Sequence, residues 1–462
     1  MTQTENQPGV EKQSEVGVTF DNHECIKNQA AHQVFHGPVT FTCDCRSQNR
    51  NVSTLDNDIL DSLAFDQMLD RESSIEAPFR DTCTWVLAME EYKRWVNRPS
   101  QVLWIQGKPG AGKSILSAYL YRKHRAEQAE QETTLGFFFD RQGVDLQRTP
   151  LGMYRSLINQ LFRQEPAIRP HVQRIFGEKR AAFGHCRRWE WQEEELKQAL
   201  QHTVIEAAQQ RPVVIFVDAL DDTGACTQEL ARFFHQINED ADLSKVQIKT
   251  CIACRHYPRP TRLSGLHIWV ERHNSGDIER FVHDRLGFDI MLAMSFTMRG
   301  ASWPELEYDI IQTADGMFRW AGLMVPLVQT MIADGESPEA IQSSLRQVPR
   351  ALKNDYDNTL MRVIKPQYYN KASSMLGLMC SVEQPLSVAD IQDILAPSEH
   401  RPRMPDISED FHFTAHIQAL SGGLVEVTES PEKGKMNVRF IHFTVKEYLL
   451  ERGFSLLADL RR

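Results

Sequence analysis

The sequence predicts an α/β fold: a parallel sheet with helices on both faces, then a helical domain, then a winged-helix domain, all behind a disordered N-terminal tail. Five strand-like runs, at 102–105, 135–139, 213–217, 246–253 and 266–270, alternate with helix-patterned segments, and such alternation marks a parallel sheet covered on both sides. A glycine-rich stretch, Gly107 to Ser114, sits directly between the first strand and the helix after it. After Val270 the strands stop and helical patterning continues to about residue 350.

Residues 1–60 are polar and rich in Asn and Gln, with four basic residues against eight acidic ones. Such a stretch buries too little apolar surface to offset its ordering entropy, so it reads as a disordered tail. Within it, Gly17 to Phe20 and Val39 to Thr42 are short alternating runs around the Gly37-Pro38 turn, a composition able to pair with copies of itself as a signalling or amyloid-type motif. Residues 61–274 hold a linker helix, with helical pattern from Asp70 to Trp95, and the sheet. The insertion from Arg141 to Arg211 carries an apolar stripe of Leu151, Tyr154, Leu157, Ile158 and Leu161, whose spacing gives a core-facing helix. Residues 275–350 form the helical domain, where Leu323, Met324, Leu327 and Val328 pack a helix begun by Trp320. Residues 351–462 mix helices with a late hairpin, 423–427 and 437–441 around a Glu-Ser-Pro-Glu-Lys-Gly turn, the make-up of a winged helix.

A chain of 462 residues with 41% hydrophobic content has enough apolar matter for several cores. Its formal charge of −10 argues against the broad cationic surface that nucleic-acid binders need. The expected compartment is cytoplasmic: no apolar run reaches the roughly 18 residues of a membrane span, and the N-terminus has no signal-peptide pattern. Nine cysteines scattered through the chain read as reduced thiols, and the lone Cys251/Cys254 and Cys43/Cys45 pairs lack the second pair a zinc site needs.

The chemistry concentrates at strand ends. Gly107, Lys108, Pro109, Gly110, Ala111, Gly112, Lys113 and Ser114 form a phosphate-binding loop: glycines let backbone N–H groups converge on an anion, and the helix N-terminus adds positive potential. Lys113 is assigned to the β- and γ-phosphates, and Ser114 to Mg²⁺. The run 213–217 ends in Asp218-Ala-Leu-Asp221-Asp222. A nucleotide site needs one acid for the metal and another for the attacking water, so Asp218 is assigned to Mg²⁺ and Asp221 or Asp222 to water. Arg255 closes the fourth strand at the same sheet edge, where its guanidinium would report a γ-phosphate. His442, in a mostly apolar run leading into a helix, reads by chemistry alone as a core or capping residue.

Together the loop, the acid cluster and the Arg255 strand end resemble the NACHT-type NTPases of the STAND class. Arg71 to Trp85, Phe137 to Arg141, Met153 to Leu161 and Gly316 to Ala321 resemble the fungal NOD-like receptors with a nephrocystin-type nucleotide domain. The resemblance covers about residues 61–455. It implies a P-loop NTPase domain, a helical domain and a winged helix closed over ADP at rest and opened by ATP, with Mg²⁺; GTP is the other candidate nucleotide. It implies that His442 contacts the β-phosphate and that Thr82 and Trp85 lie near the base. It further implies a homo-oligomer on activation, a downstream effector reached through the tail, and a role in an incompatibility or innate-immunity-like response.

Three departures from that pattern shape the expectation. Asp221-Asp222 replaces Asp-Glu, shortening the water-polarising acid by one methylene, so hydrolysis should be slow. Ala253-Cys254-Arg255 replaces Ser-Ser-Arg. No repeats follow the winged helix within these residues. The competing readings are a nucleotide-binding scaffold without turnover and a winged-helix ATPase dependent on nucleic acid.

Overall fold

The computed structural model describes residues 52–141, 143–183, 189–256, 264–296, 303–345, 347–382, 386–395, 407–429 and 436–461. The proposed signalling motif in the tail lies outside them. Residues 52–60, expected in the tail, are helical: α1 (Val52–Leu63) buries Ile59 and Leu63 completely. Its apolar positions recur at helical spacing, and Arg155 and Asn159 hold its last turn by donating to the carbonyls of Leu60, Ser62, Leu63 and Ala64.

The expected continuous helical pattern from Asp70 to Trp95 is broken into α2 (Asp70–Ser74), a 3-10 turn at Thr84–Ala88 and α3 (Glu90–Asn97). Pro78 and the residues around it explain the break, since the residue before a proline is driven out of helical geometry. Next come β1 (Gln101–Gly107), α4 (Lys113–Glu127) and β2 (Thr133–Phe138). The insertion follows as α5 (Asp145–Arg148), α6 (Pro150–Gln164), α7 (Arg169–Phe183) and α8 (Glu193–Ala208). Then β3 (Val213–Asp218), α9 (Thr227–Ser244), β4 (Ile248–Arg255) and β5 (Leu266–Trp269) complete the sheet.

All pairings are parallel, in the order β2-β3-β4-β1-β5. Successive strand residues alternate faces. Val102, Trp104, Ile215, Val217, Ile252 and Cys254 join the core under α6, α8 and α9, while Leu103, Ile105, Val214, Phe216, Cys251 and Ala253 join the core under α3 and α4. Cys251 and Cys254 therefore face opposite sides of the sheet and do not converge. Among the described residues, Cys83, Cys226, Cys251 and Cys380 are free thiols.

The helical region comprises α10 (Ser275–Phe296), α11 (Trp303–Ala314), α12 (Phe318–Ala333) and α13 (Pro338–Ser344). Leu327, expected in its core, is 44% exposed, whereas Met324 and Val328 are buried. The winged helix follows: α14 (Arg350–Arg362), α15 (Tyr369–Ser381), β6 (Leu386–Ser387), α16 (Val388–Leu395), α17 (Ile407–Ser421), β7 (Val425–Glu429), β8 (Met436–Phe440), α18 (Phe443–Tyr448) and α19 (Phe454–Leu460). The expected hairpin is β7–β8, antiparallel, and the two-residue β6 adds a third strand beside β8. Buried side chains from Ile278 to Leu457 form one continuous cluster, so the helical region and the winged helix share a core. Among the described residues no helix is long and apolar enough to cross a membrane.

Candidate functional site

The strand order sets the site. β4 lies between β1 and β3, so the loop after β1, the acids after β3 and Arg255 at the tip of β4 meet at one sheet edge, with Arg255 in register with Gly107. They line a cleft of about 640 Å³, within the range of roughly 300–1,000 Å³ for cofactor pockets. The opposite wall comes from later in the chain: Met317 and Arg319 of the helical region, and Asp355, Tyr356, Arg362 and Leu424 of the winged helix.

The loop has the conformation its sequence demands. Gly110 (φ 80°) and Gly112 (φ 101°) occupy the left-handed region, which side-chain-bearing residues enter only with strain. At Gly110 an added Cβ would also come within 3.0 Å of the Arg319 side chain. Lys113 Nζ donates to the carbonyl oxygens of Gly107 and Lys108, at 2.9 and 2.8 Å. Ser114, Pro109, Gly110 and Gly112 line the cleft with it, and Ala111 is buried behind them.

Asp218 is fully buried, and neither carboxylate oxygen has a hydrogen-bond donor. Burial pushes its carboxyl up to about 6, with Ser114, Arg71 and Lys113 pulling the other way. An orphaned carboxylate beside a serine hydroxyl in a phosphate-sized cleft fits the Mg²⁺ assignment of Ser114 and Asp218, because such a pair offers oxygens to a hard cation.

The other two acids are divided. Asp221 receives the Arg255 backbone N–H at 2.9 Å and its Nε at 3.1 Å. Asp222 meets Arg255 Nη2 at the longer distance of 3.6 Å, and its Oδ1 has no hydrogen bond. Burial, then repulsion from Asp221, raises Asp222 to about 6. Asp222 is thus the freer carboxylate for a water, while Arg255 is engaged by acids rather than turned wholly toward a phosphate.

His442, assigned to the β-phosphate, is not among the residues lining this cleft. It caps α18. Nε2 lies 2.7 Å from the Thr313 carbonyl and must carry the proton, since a carbonyl only accepts; Nδ1 then accepts from the Thr444 hydroxyl at 2.7 Å. Burial pushes its pKa down to about 4. The histidine joins the winged helix to α11, and through Thr444, whose hydroxyl bonds Tyr356, its hydrogen bonds extend to the cleft wall. Thr82 and Trp85 also stand outside the cleft: Trp85 stacks on His273 and donates to Asp277 of α10, which the Cys83 N–H bonds too.

Sequence reasoning missed the ties between the loop and the later domains. The Lys108 side chain, 2% exposed, places Nζ 3.0 Å from Asp315 and 3.3 Å from Glu426 on β7. The Arg319 N–H donates to the Gly110 carbonyl, and Asn274 Nδ2 donates to those of Ala111 and Gly316. It also missed Arg71, Arg141 and Arg362 as cationic lining. Arg71 Nε is buried without a partner.

Residues 81–255 match the family model described as nephrocystin 3, N-terminal, and residues 358–459 that described as GPI inositol-deacylase, winged helix domain. Among curated proteins the chain is similar to the vegetative incompatibility protein HET-E-1 of Podospora anserina, 24% identical over 384 residues, covering 80% of this chain and 26% of that one. It therefore spans about a quarter of the length of the curated relative it matches. Solved structures with similarity are the Walker-type ATPase PABY2304 of Pyrococcus abyssi (13% identical, 82% of this chain and 97% of that one, TM-score 0.41) and the Aeropyrum pernix ORC1 protein in complex with DNA (14%, 86% and 97%, 0.34).

Proposed function

From a chain that carries a nephrocystin 3-type N-terminal domain followed by a winged helix, in the manner of the NACHT-like P-loop NTPases, we propose a nucleotide-dependent switch. It binds ADP in a closed state and ATP in an open one, GTP being the alternative pair. The open form self-associates and passes a signal, in an incompatibility or innate-immunity-like response, to an effector.

One observation carries this reading: the loop shaped to hold phosphates is itself gripped by the two modules that follow it. Lys108 is buried between Asp315 and Glu426, and Gly110 accepts from Arg319. A ligand shifts a conformational equilibrium only through contacts that differ between states. A γ-phosphate arriving between Lys113 and Arg255 competes with Asp221 and Asp222 for the guanidinium, and any movement of the loop strains the Lys108 contacts directly.

Mg²⁺, held by Ser114 and Asp218, would neutralise charge on the phosphates. Turnover is slow in this reading, since Arg255 occupies Asp221 and Asp222 is the shorter acid. The same clamp favours, as second reading, a scaffold that binds nucleotide without hydrolysing it; multiple-turnover phosphate release separates the two.

The test is to identify the nucleotide that copurifies with the full chain and to measure its mass in solution with ADP and with ATP. A bound diphosphate, a monomer with ADP and a larger species with ATP are expected. No affinity for any purine polyphosphate with Lys113 intact overturns the switch, and Lys113→Ala is the control that abolishes binding.

A further inference from the structure

Outside the cleft, two imidazoles and a carboxylate converge where α7 meets α8. His171 of α7 stacks on His202 of α8, ring centroids 4.1 Å apart and planes 26° from parallel. Glu206 lies four residues after His202, so both project from one face of α8. Donor atoms of all three lie within 4.8 Å of one another. Glu206 Oε2 is shielded from solvent and has no hydrogen-bond partner, with His202 Nε2 3.9 Å away.

We propose that His171, His202 and Glu206 form a binding site for a zinc-type divalent cation that clips α7 to α8. Two imidazole nitrogens and one carboxylate oxygen are a donor set for borderline cations such as Zn²⁺, with water completing a tetrahedron, whereas Mg²⁺ and Ca²⁺ prefer oxygen alone. Ligands around a tetrahedral zinc sit about 3.3 Å apart, so small side-chain rotations close the cluster. A cation answers the one orphaned group of the cluster: it gives the buried Glu206 oxygen a partner.

The clip has a structural reach. α8 packs on α6 and α9 and leads into the start of β3, so fixing α7 to α8 stiffens the insertion against the sheet.

The test uses the full chain, stripped with EDTA and titrated with Zn²⁺ by calorimetry, and with Co²⁺ by absorption. One zinc per native chain is expected to depend on this cluster, with affinity falling at least about tenfold in each of His171→Ala, His202→Ala and Glu206→Gln. Folding of each variant is checked by circular dichroism. Unchanged zinc affinity in any of the three overturns the site as drawn. So does a cobalt spectrum of the native chain showing only sulfur-to-metal charge transfer, which assigns binding to cysteines elsewhere and needs no variant.

Discussion

Arg255 binds Asp221 twice, once through its backbone N–H at 2.9 Å and once through Nε at 3.1 Å. The two bonds respond differently to mutation. Asp221→Asn keeps an oxygen for the backbone N–H and loses only the charge; Arg255→Ala removes the cation that bridges Asp221 and Asp222. With the arginine partly exposed, the removal should cost about 1–3 kcal/mol, below the value for a fully buried pair. Urea denaturation should rank Arg255→Ala as the more destabilising of the two.

Lys108 links the loop to two carboxylates of different exposure. Asp315 is half exposed and Glu426 is nearly buried, though Glu426 also pairs with Arg439. Glu426→Gln should therefore loosen the winged helix more than Asp315→Asn, and Lys108→Met more than either, by roughly 1–2 kcal/mol. Hydrogen exchange in β7 reads the effect, together with a several-fold faster release of bound nucleotide.

His442 should give the joint between the winged helix and α11 a pH dependence. Its folded pKa, about 4, lies below its ordinary value of 6.5, so the unfolded chain binds the proton more tightly and stability falls as pH drops from 6.5 toward 4. The full effect is at most roughly 3 kcal/mol. His442→Asn should flatten that part of the stability curve. It should leave phosphate affinity within about threefold if capping is the residue's role, because neither ring nitrogen faces the cleft. Denaturation midpoints across this range and an ADP titration decide both points.

Asp218→Asn should separate stability from metal use. The carboxyl is raised from 3.8 to about 6 by burial, so its charge opposes folding, and stability declines as pH rises from 3.8 through 6. The amide removes that penalty, raising stability at pH 7.5 by up to roughly 3 kcal/mol. The same change should abolish the enhancement of triphosphate binding by Mg²⁺, measured as affinity with and without EDTA.

What was legible in the sequence is what is local. The loop from Gly107 to Ser114 and the acids from Asp218 to Asp222 are contiguous motifs at strand ends, and periodicity placed all five strands of the sheet. The tie from Lys108 to Asp315 gave no signal, because the two lie 207 residues apart and only folding brings them together. Arg71 stood among residues quoted for their resemblance, with nothing local to aim it at the cleft. The start of α1 was hidden by its polar neighbourhood, although Leu55, Ile59 and Leu63 repeat every four residues. β6 is too short to leave a period. At His442 the cap was legible from plain chemistry: a ring directly before a helix finds unpaired N–H groups there.

The central place of β4 constrains the chain's length more than its composition. Ile252 and Cys254 can be exchanged for other apolar residues of similar size with modest loss. A single residue inserted or deleted ahead of Arg255 is different: every following side chain changes to the opposite layer, and the guanidinium shifts by about 3.3 Å along the strand. Descendants of this sequence are thus free to vary in β4 by replacement and barred from varying by indel, a pattern that sequencing of natural variants would expose directly.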